Sequence, residues 1–449
     1  MPWTYSRWIR AYQIVREAMP TAARARWDRA LTLGFTGIAR EVAGTKVLAN
    51  IPTHHAMGLF VASQVFNRPD WAKISANFMR RAIGEQHPDG YWSEHSGPVI
   101  NYGFVYVEAV GLYAAASHDP AMIEPLRRAA LFHGHFTYPD GTGVETVDER
   151  NPHEPGVSRG NLGFTLTPEG RTYFAHQLAK SPARLPADSA AALLRWGEEG
   201  EGAAANDTDR DFDYRLGRGD AAVRRHGPWF IVVSAFTAPL APRRWIQDRQ
   251  NFVSVYHDRA GLVLGGGNTK LQPRWSNFTA GDLAAFAHRP GDTNPQFAPP
   301  AGVLHVPGSA KLLDGDDLGV DLVYGDHTAQ IRLHIVNDDT LDYVVTGDTA
   351  LTAHVTLLPH LDAPLRAANA RTTTPLKATS LAWDAATTGR QLDHGKAHLT
   401  LPPATSADWP VLPHNPYRKD GRAEPAEGRI VLSVPLDGQP KTFRLEIAP

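Results

Sequence analysis

Residues 327–337 have the sequence HTAQIRLHIVN, in which apolar and polar side chains alternate. Ile331, Leu333 and Ile335 fall on one face of an extended chain, and the intervening Gln, Arg and His fall on the other. A period of two is typical of a strand with one buried face. Similar short segments recur from residue 229 onward, separated by turn residues, and they predict a large antiparallel β-sandwich over residues 229–449.

The first 200 residues follow a different period. Apolar residues recur at spacings of three and four, and Pro, Gly, Asn and Asp separate the segments. Helices are predicted near residues 4–18, 22–42, 53–66, 70–85, 98–117, 120–135, 168–180 and 186–197. Residues 1–200 are therefore expected to form a helical domain of antiparallel neighbours, followed by a Gly- and Asp-rich connector at 201–228.

The composition excludes several classes of function. The 449 residues include 45 Lys plus Arg and 47 Asp plus Glu, a formal net charge of −2, so no overall basic field is available for nucleic acid. The absence of Cys excludes disulfides and thiolate chemistry. The longest apolar runs, such as 229–235, are well short of the roughly 18 residues of a membrane span, so no membrane partner is expected. No signal peptide is visible, so the expected location is the cytoplasm, or the periplasm or exterior if a signal peptide was removed.

The densest polar constellation is DGYWSEHSGP at residues 89–98, which leads into a helix carrying Tyr102 and Tyr106. Tyr102 is the tyrosine nearest the polar loop, where a phenol could reach a cleft and transfer a proton. The alternative interpretation is an aromatic core stripe at helical spacing. The candidate substrate contacts in this region are Trp92, Glu94, His95 and Tyr106.

A second constellation is NIPTHHAMG at residues 50–58, at the start of another predicted helix. Because neighbouring helical residues point about 100° apart, His54 and His55 cannot both face the core. A neutral histidine suits proton abstraction near neutral pH, and His54 is a candidate substrate contact. A structural histidine pair is the alternative.

Two further regions contain candidate functional residues. Arg150, in the charged segment 139–153, offers a planar fork that matches a carboxylate. His257 and Trp275, in the predicted β-region, could line a cleft. The nearby run Gly265-Gly266-Gly267 lacks the Gly-Lys-Ser/Thr ending of a phosphate loop, and it predicts close backbone approach instead.

Alternate carboxylates at Asp207, Asp209, Asp211 and Asp213 are similar to a calcium loop. The Gly and Glu that such a loop requires at its sixth and twelfth positions are absent, which favours a solvated connector.

The domain order resembles that of polysaccharide lyases in which an incomplete α/α toroid precedes an antiparallel β-sandwich, as in the heparinase II/III-like and alginate oligosaccharide lyase families. Thr53-His54-His55 is similar to the polar pair at the start of one toroid helix, Tyr102-Gly103 to the catalytic tyrosine segment, and Tyr256-His257 to the residue that the sandwich contributes. The run from Asp89-Gly90 to Glu94-His95 also resembles the Asp-Gly-Ser-Phe-x-Gln-His pattern of toroidal hyaluronate and chondroitin lyases, with Trp and Glu replacing Phe and Gln.

The resemblance implies β-elimination on a uronic-acid-containing, anionic polysaccharide or oligosaccharide. That reaction needs a base for the C5 proton, an acid for the leaving oxygen and neutralisation of the carboxylate. The roles expected are Tyr102 as acid, with a role as base left open, His55 as base or carboxylate neutraliser, and His257 as the group that completes the site. Arg150 and Trp92 would bind substrate by pairing and stacking. No cofactor is required, and a structural metal ion is left open.

Two other functions stay open at this point. A glycoside hydrolase on the same scaffold would need two carboxylic acids across a cleft, for which Glu94, Glu145 and Asp148 are available. A non-catalytic carbohydrate-binding protein would bind glycan without forming product. The identity of the polysaccharide and the oligomeric state are not encoded in any pattern of the sequence.

Overall fold

The first part of the chain is helical, as predicted. The computed structural model describes residues 3–181, 184–203, 210–286, 291–372 and 374–449. Within these residues the helices are α1 (Thr4–Val15), α2 (Thr21–Gly44), α3 (Asn50–Val65), α4 (Pro69–Gly84), α5 (Ile100–Ser117), α6 (Ile123–His135), α7 (Leu162–Thr165), α8 (Pro168–Lys180), α9 (Ala187–Trp196) and the short α10 (Ala385–Thr388).

Proline and capping residues fix several helix starts. Pro168 is the first residue of α8, and the Thr167 side chain accepts a hydrogen bond from the Gly170 amide at 3.1 Å. A proline costs nothing at that position because its missing N–H would be unpaired anyway. The helices α3 and α5 are buried over most of their length, so they form the centre of the helical core. No helix in the described ranges is both long enough and apolar enough to span a bilayer.

The remainder is dominated by strands. They are β1 (Phe212–Leu216), β2 (Ala221–His226), β3 (Trp229–Ser234), β4 (Val253–His257), β5 (Gly261–Leu264), β6 (Phe278–Thr279), β7 (Ser309–Leu312), β8 (Leu318–Tyr324), β9 (His327–Asn337), β10 (Thr340–Gly347), β11 (Thr352–Leu357), β12 (Leu365–Ala367), β13 (Leu381–Trp383), β14 (Gln391–His394), β15 (Ala397–Thr400), β16 (Ser406–Val411), β17 (Arg429–Pro435) and β18 (Lys441–Ile447).

These strands form two antiparallel sheets. In the described part of the chain, one sheet has the order β1-β2-β3-β4-β5-β11-β17-β16-β13, with β6 paired to β11. The other has the order β12-β14-β15-β18-β10-β9-β8-β7. In β9, Ile331 and Leu333 are buried and pair with Val345 and Tyr343 of β10. Side chains from both sheets share one apolar core, which confirms the predicted β-sandwich.

The chain divides into two compact units, and the division differs from the predicted one. One unit contains Met1–Thr137 and Gly156–Asp207, and the other contains Tyr138–Pro155 and Thr208–Pro449. Residues 138–155, predicted to lie in the helical domain, belong to the strand-containing unit. The connector predicted at 201–228 is also partly wrong, because β1 and β2 pair there as an edge hairpin whose outward residues are charged.

The strand-containing unit buries a group of charged side chains. Lys270 Nζ lies 2.6 Å from Asp248 Oδ1, and each side chain is only 1% exposed. His305 Nε2 lies 3.2 Å from the other oxygen of Asp248, and Lys270 also donates to the Ala241 carbonyl at 2.7 Å. A buried charge of this kind is tolerated because its partners replace the lost hydration.

Candidate active site

The start of α3 and the loop before α5 are joined by a side-chain hydrogen bond. Asn50, the first residue of α3, donates from Nδ2 to both carboxylate oxygens of Glu94, at 3.2 and 3.3 Å. The loop turns back on itself through a bridge between Ser93 and Pro98. Glu94 and His95 therefore lie at the tip of this turn, where Glu94 is partly buried and His95 is exposed.

The Asp-Gly pair of this loop has a structural role. Gly90 adopts a positive φ of 96°, and a Cβ at this position would lie 2.0 Å from the carbonyl oxygen of Arg128. Gln86 Nε2 donates to the Gly90 carbonyl at 3.0 Å and to the Pro125 carbonyl at 2.9 Å. Because only glycine fits such a close approach, Gly90 sets the position from which the loop presents Glu94.

Trp92 does not lie where a substrate contact is expected. It is 2% exposed, its indole N–H donates to the Ala82 carbonyl at 2.8 Å, and its ring stacks on Tyr106 with centroids 5.1 Å apart. A tryptophan that stacks on a sugar needs at least one ring face that is open to solvent. The predicted stacking role of Trp92 is therefore wrong, since the ring belongs to the helical core.

Tyr106 and Tyr102 lie one helical turn apart on α5 but differ in exposure. Tyr106 is 1% exposed, and burial together with the Glu94 carboxylate raises its pKa, so the phenol stays protonated. Tyr102 is partly exposed. At Gly103 a Cβ would lie 2.8 Å from His133 Nε2, so the glycine lets α6 pack closely behind Tyr102. Tyr102 is thus the more accessible phenol of the two, and the predicted contact between Tyr106 and substrate is wrong because its ring is buried.

The adjacent histidines of α3 face different neighbours, which confirms the prediction. His54 is 3% exposed, lies 3.1 Å through Nε2 from the Val105 carbonyl, and packs edge-on against Trp3. Burial lowers the pKa of His54 to about 3, so its ring stays neutral. His54 has no surface for substrate, so its predicted binding role is wrong. His55 is partly buried, with Nδ1 3.3 Å from the Glu41 carboxylate.

His257, in the strand-containing unit, is engaged through both ring nitrogens. Nε2 donates to the Asp338 carbonyl at 3.0 Å, and Nδ1 accepts from the Arg259 amide at 3.1 Å. The side chain is buried against Trp229, and burial lowers its pKa. These contacts fix one neutral tautomer, and proton transfer would break them. The geometry contradicts the predicted catalytic role and indicates a structural one.

Trp275 and Arg150, from the same unit, differ in accessibility. Trp275 is fully buried, donates to the Val411 carbonyl at 3.0 Å and lies under the Arg429 guanidinium. The predicted contact between Trp275 and substrate is therefore wrong. Arg150 is partly buried, and its guanidinium lies 5.7 Å from the ring centroid of Trp245, which is 40% exposed.

Two of the three carboxylates that a hydrolase could use are engaged in structural contacts. Glu145 is 1% exposed and accepts from Tyr138 at 3.0 Å, Ser254 at 2.6 Å and the Gly266 amide at 3.0 Å. Asp148 is 2% exposed and accepts from the backbone amides of the two residues that follow Glu149. Glu94 is the carboxylate of the three that is partly accessible.

The Gly265-Gly266-Gly267 run explains how Glu145 is bound. All three residues have positive φ, and a Cβ at Gly266 would lie 2.0 Å from Arg429 Nε. A Cβ at Gly267 would lie 2.8 Å from Glu145 Cγ. The run therefore gives close backbone approach, as predicted, and the Gly266 amide is free to face the carboxylate.

No functional role is predicted for Asn50 from the sequence, although it lies in the segment of the paired histidines. Its position at the start of a helix was visible, but its pairing with Glu94, 44 residues away, is a tertiary contact. Among the described residues, no group of three or more His, Cys, Asp or Glu side chains is placed to hold a metal ion. Asp207 and Asp209 of the calcium-like run lie outside the described residues.

Comparison with known proteins gives a likeness of fold. No protein-family model matches the chain, and no curated protein matches it. The solved BT4657 gene product, a heparinase III, has a TM-score of 0.56 at 12% identity, and the match covers 100% of this chain and 68% of that one. The Streptomyces coelicolor A3 chondroitin AC lyase, solved with chondroitin sulphate, has a TM-score of 0.53 at 12% identity, over 100% and 66%.

The chain thus spans about two thirds of the length of these structures. At 12% identity the likeness shows the fold alone. The resemblance to polysaccharide lyases of the toroid-plus-sandwich type is confirmed at that level.

Proposed function

We propose that this protein is a polysaccharide lyase that cleaves a uronic-acid-containing glycan by β-elimination, and that its helical unit is an incomplete α/α toroid. The observation that carries the proposal is the hydrogen bond between Asn50 and Glu94, in the loop that leads into α5, the helix that carries the partly exposed Tyr102. Together these residues supply an amide donor, a carboxylate and an accessible phenol. The lyase folds of the neighbours support the same reaction class.

The acid and the group that neutralises the substrate carboxylate have candidates here, and the base is assigned to His55, further along α3. The C5 proton of a uronate is weakly acidic, and the negative charge that develops on its removal spreads onto the carboxylate. Asn50 Nδ2 has two N–H bonds, so one can bind Glu94 while the other binds the substrate carboxylate. His95, exposed at the loop tip, supplies a second polar contact.

Proton transfer is assigned to Tyr102 and a histidine. A base takes the C5 proton, the C4–C5 double bond forms, the C4–O bond breaks, and the departing oxygen takes a proton from an acid. Tyr102 is the proposed acid because it is the partly exposed phenol next to the loop. His55 keeps the proposed role of base, and the Glu41 carboxylate, 3.3 Å from its Nδ1, holds the orientation of the ring. The proposal requires no cofactor.

The experiment that tests the proposal follows ultraviolet absorbance while the protein is mixed with alginate, glucuronan, hyaluronan, chondroitin, heparan and rhamnose-linked glucuronan. A rise in absorbance from the conjugated, unsaturated uronate establishes elimination and identifies the substrate. New reducing ends without that rise would indicate hydrolysis and contradict the proposal. Saturable binding without either product would contradict it as well and favour a binding protein.

A further inference from the structure

The strand-containing unit has a pocket of about 250 Å³ that none of the groups proposed for elimination lines. All of its lining residues belong to that unit. Gln247, Tyr417, Glu427 and Arg429 are among these lining residues. The volume is slightly below the roughly 300–1,000 Å³ typical of pockets for drug-sized ligands, and it suits a ligand the size of one sugar ring.

Gln247 presents a buried amide to this pocket. Its residue is 3% exposed, its backbone N–H donates to the Glu149 carbonyl at 3.1 Å, and neither Oε1 nor Nε2 of its side chain has a hydrogen-bond partner in the protein. Buried polar groups without partners are rare because they lose their hydrogen bonds to water and gain none within the protein. A donor and an acceptor on one side chain match the vicinal hydroxyls of a saccharide, which both donate and accept.

The wall of the pocket carries a buried positive charge. Arg429 is 2% exposed and donates to the carbonyl oxygens of Glu427, Gly428 and Gly266 at 2.8 to 3.2 Å. The acceptors of its two terminal nitrogens are thus neutral, and its Nε has no hydrogen-bond partner in the protein. The Glu427 carboxylate is engaged elsewhere, by Asn415 Nδ2 and by the Glu424 amide, both at 2.7 Å. The lining therefore carries charges of both signs, from Arg429 and from the carboxylates of Glu154 and Glu427, so the preference for an acidic ligand depends on the arginines at the rim.

An exposed aromatic pair with two neighbouring cations lies at the rim. Tyr417 is 63% exposed and Trp245 is 40% exposed, and their ring centroids are 5.3 Å apart. The guanidinium groups of Arg150 and Arg244 lie 5.7 and 5.4 Å from the Trp245 ring. Exposed aromatic rings offer the flat apolar surface on which the C–H face of a sugar packs, and arginine forks match carboxylates.

We propose that this pocket is a binding site for a uronate residue of an acidic saccharide. The sugar ring packs against Tyr417 and Trp245, its hydroxyls bind the Gln247 amide, and its carboxylate is drawn by the surrounding arginines. The site binds without cleaving, so it stands apart from the elimination chemistry and does not depend on Tyr102.

The test is hydroxyl-radical footprinting of the full chain, read by mass spectrometry peptide by peptide, with sodium D-glucuronate as the probe. Monomeric glucuronate has no glycosidic bond to eliminate, so turnover does not interfere. D-Glucose at the same concentration is the neutral control, and it also matches the scavenging of radicals by sugar. Trp8, 46% exposed in the helical unit, is the internal reference.

The expected result is a several-fold slower oxidation of Tyr417 and Trp245 with glucuronate, little change with glucose, and no change at Trp8. The Gln247→Leu variant should lose this protection while keeping the melting temperature of the parent. The exposed Tyr417→Ala variant should lose the protection of Trp245. Equal protection by glucose and glucuronate, or none by either, would overturn the proposal.

The Tyr102→Phe variant separates this inference from the proposed function. It should show the same protection by glucuronate as the parent, whether or not the parent eliminates any glycan. Loss of protection in Tyr102→Phe would overturn the assignment to this pocket.

Discussion

Asn50 Nδ2 lies 3.2 Å from Glu94 Oε1, which joins the start of α3 to the loop that precedes α5. This contact brings the segment of the paired histidines against the Asp-Gly segment, although 44 residues separate them in the chain. The carboxylate orients the amide, and the amide holds the loop that carries Glu94 against the start of α3. The site therefore depends on the pair rather than on either residue alone.

Replacing Tyr102 by Phe should lower turnover of the glycan by about a hundredfold to ten-thousandfold, the usual contribution of a positioned acid or base. The fold should be kept, since only a partly exposed hydroxyl is removed. Initial rates of absorbance increase on the substrate found in the panel measure the effect. Tyr113→Phe, a buried tyrosine on the same helix, is the control and should keep the parental rate. A Tyr102→Phe variant as active as the parent would end its assignment as acid.

Replacing Glu94 by Gln distinguishes elimination from hydrolysis. The Gln side-chain oxygen can still accept from Asn50, so a lyase should keep measurable turnover, reduced by weaker orientation of the amide. A hydrolase that uses Glu94 as its acid or nucleophile would lose turnover almost completely. Both the ultraviolet signal and reducing ends should be measured, with Tyr102→Phe alongside. Inactive Glu94→Gln together with active Tyr102→Phe would favour hydrolysis.

The stability of the helical unit should fall as the pH is lowered below about 6.5, the ordinary pKa of a histidine in an unfolded chain. Burial lowers the pKa of His133 to about 3, so between these two values the unfolded chain binds a proton that the folded one does not. For this group alone the loss between pH 7 and pH 5 is about 2 kcal/mol. Urea unfolding at both pH values should show a smaller loss in His133→Leu. An unchanged pH dependence in His133→Leu would show that His133 does not contribute to the loss of stability at low pH.

Replacing Lys270 by Met should destabilise the strand-containing unit by about 3–5 kcal/mol, because it leaves Asp248 buried without its main countercharge. The midpoint of urea unfolding, followed by a probe in that unit, measures the effect. Arg444→Met is the matched control, because its ion pair with Asp342 lies at the surface and should matter little. Similar midpoints for the two variants would show that the buried group contributes no more than a surface pair.

Much of the fold follows from local patterns. The predicted helix at 168–180 and the predicted strand at 327–337 have the bounds found in the structure, since Pro and Thr mark the first and strict alternation marks the second. The strands β1 and β2 were missed because an edge hairpin keeps charged residues on its open side, which looks like a connector. The local sequence shows the spacing of apolar residues and the turn residues that separate the segments. It does not show which neighbour a strand will pair with.

The site was predictable in its residue types and less so in its accessibility. Trp92 and Trp275 have the residue type of a sugar contact, but their indole N–H groups bond to backbone carbonyls and their rings are buried. Burial is set by which helix or strand packs behind a residue, and no spacing in the sequence encodes that. The Asn50 contact and the Gln247 pocket were missed for the same reason, since each depends on segments far apart in the chain.

The chain leaves the helical unit after Thr137 and returns to it at Gly156, and the excursion carries Glu145 into the strand-containing unit. Exchange of whole units between related proteins by a single crossover near residue 205 would therefore separate Glu145 from Ser254 and Gly266. The recipient would keep a hydroxyl and an amide shaped for a carboxylate that another sequence would have to supply. Residues 138–155 lie in the first half of the chain but belong to the strand-containing unit. We therefore expect the two halves of the gene to be inherited together.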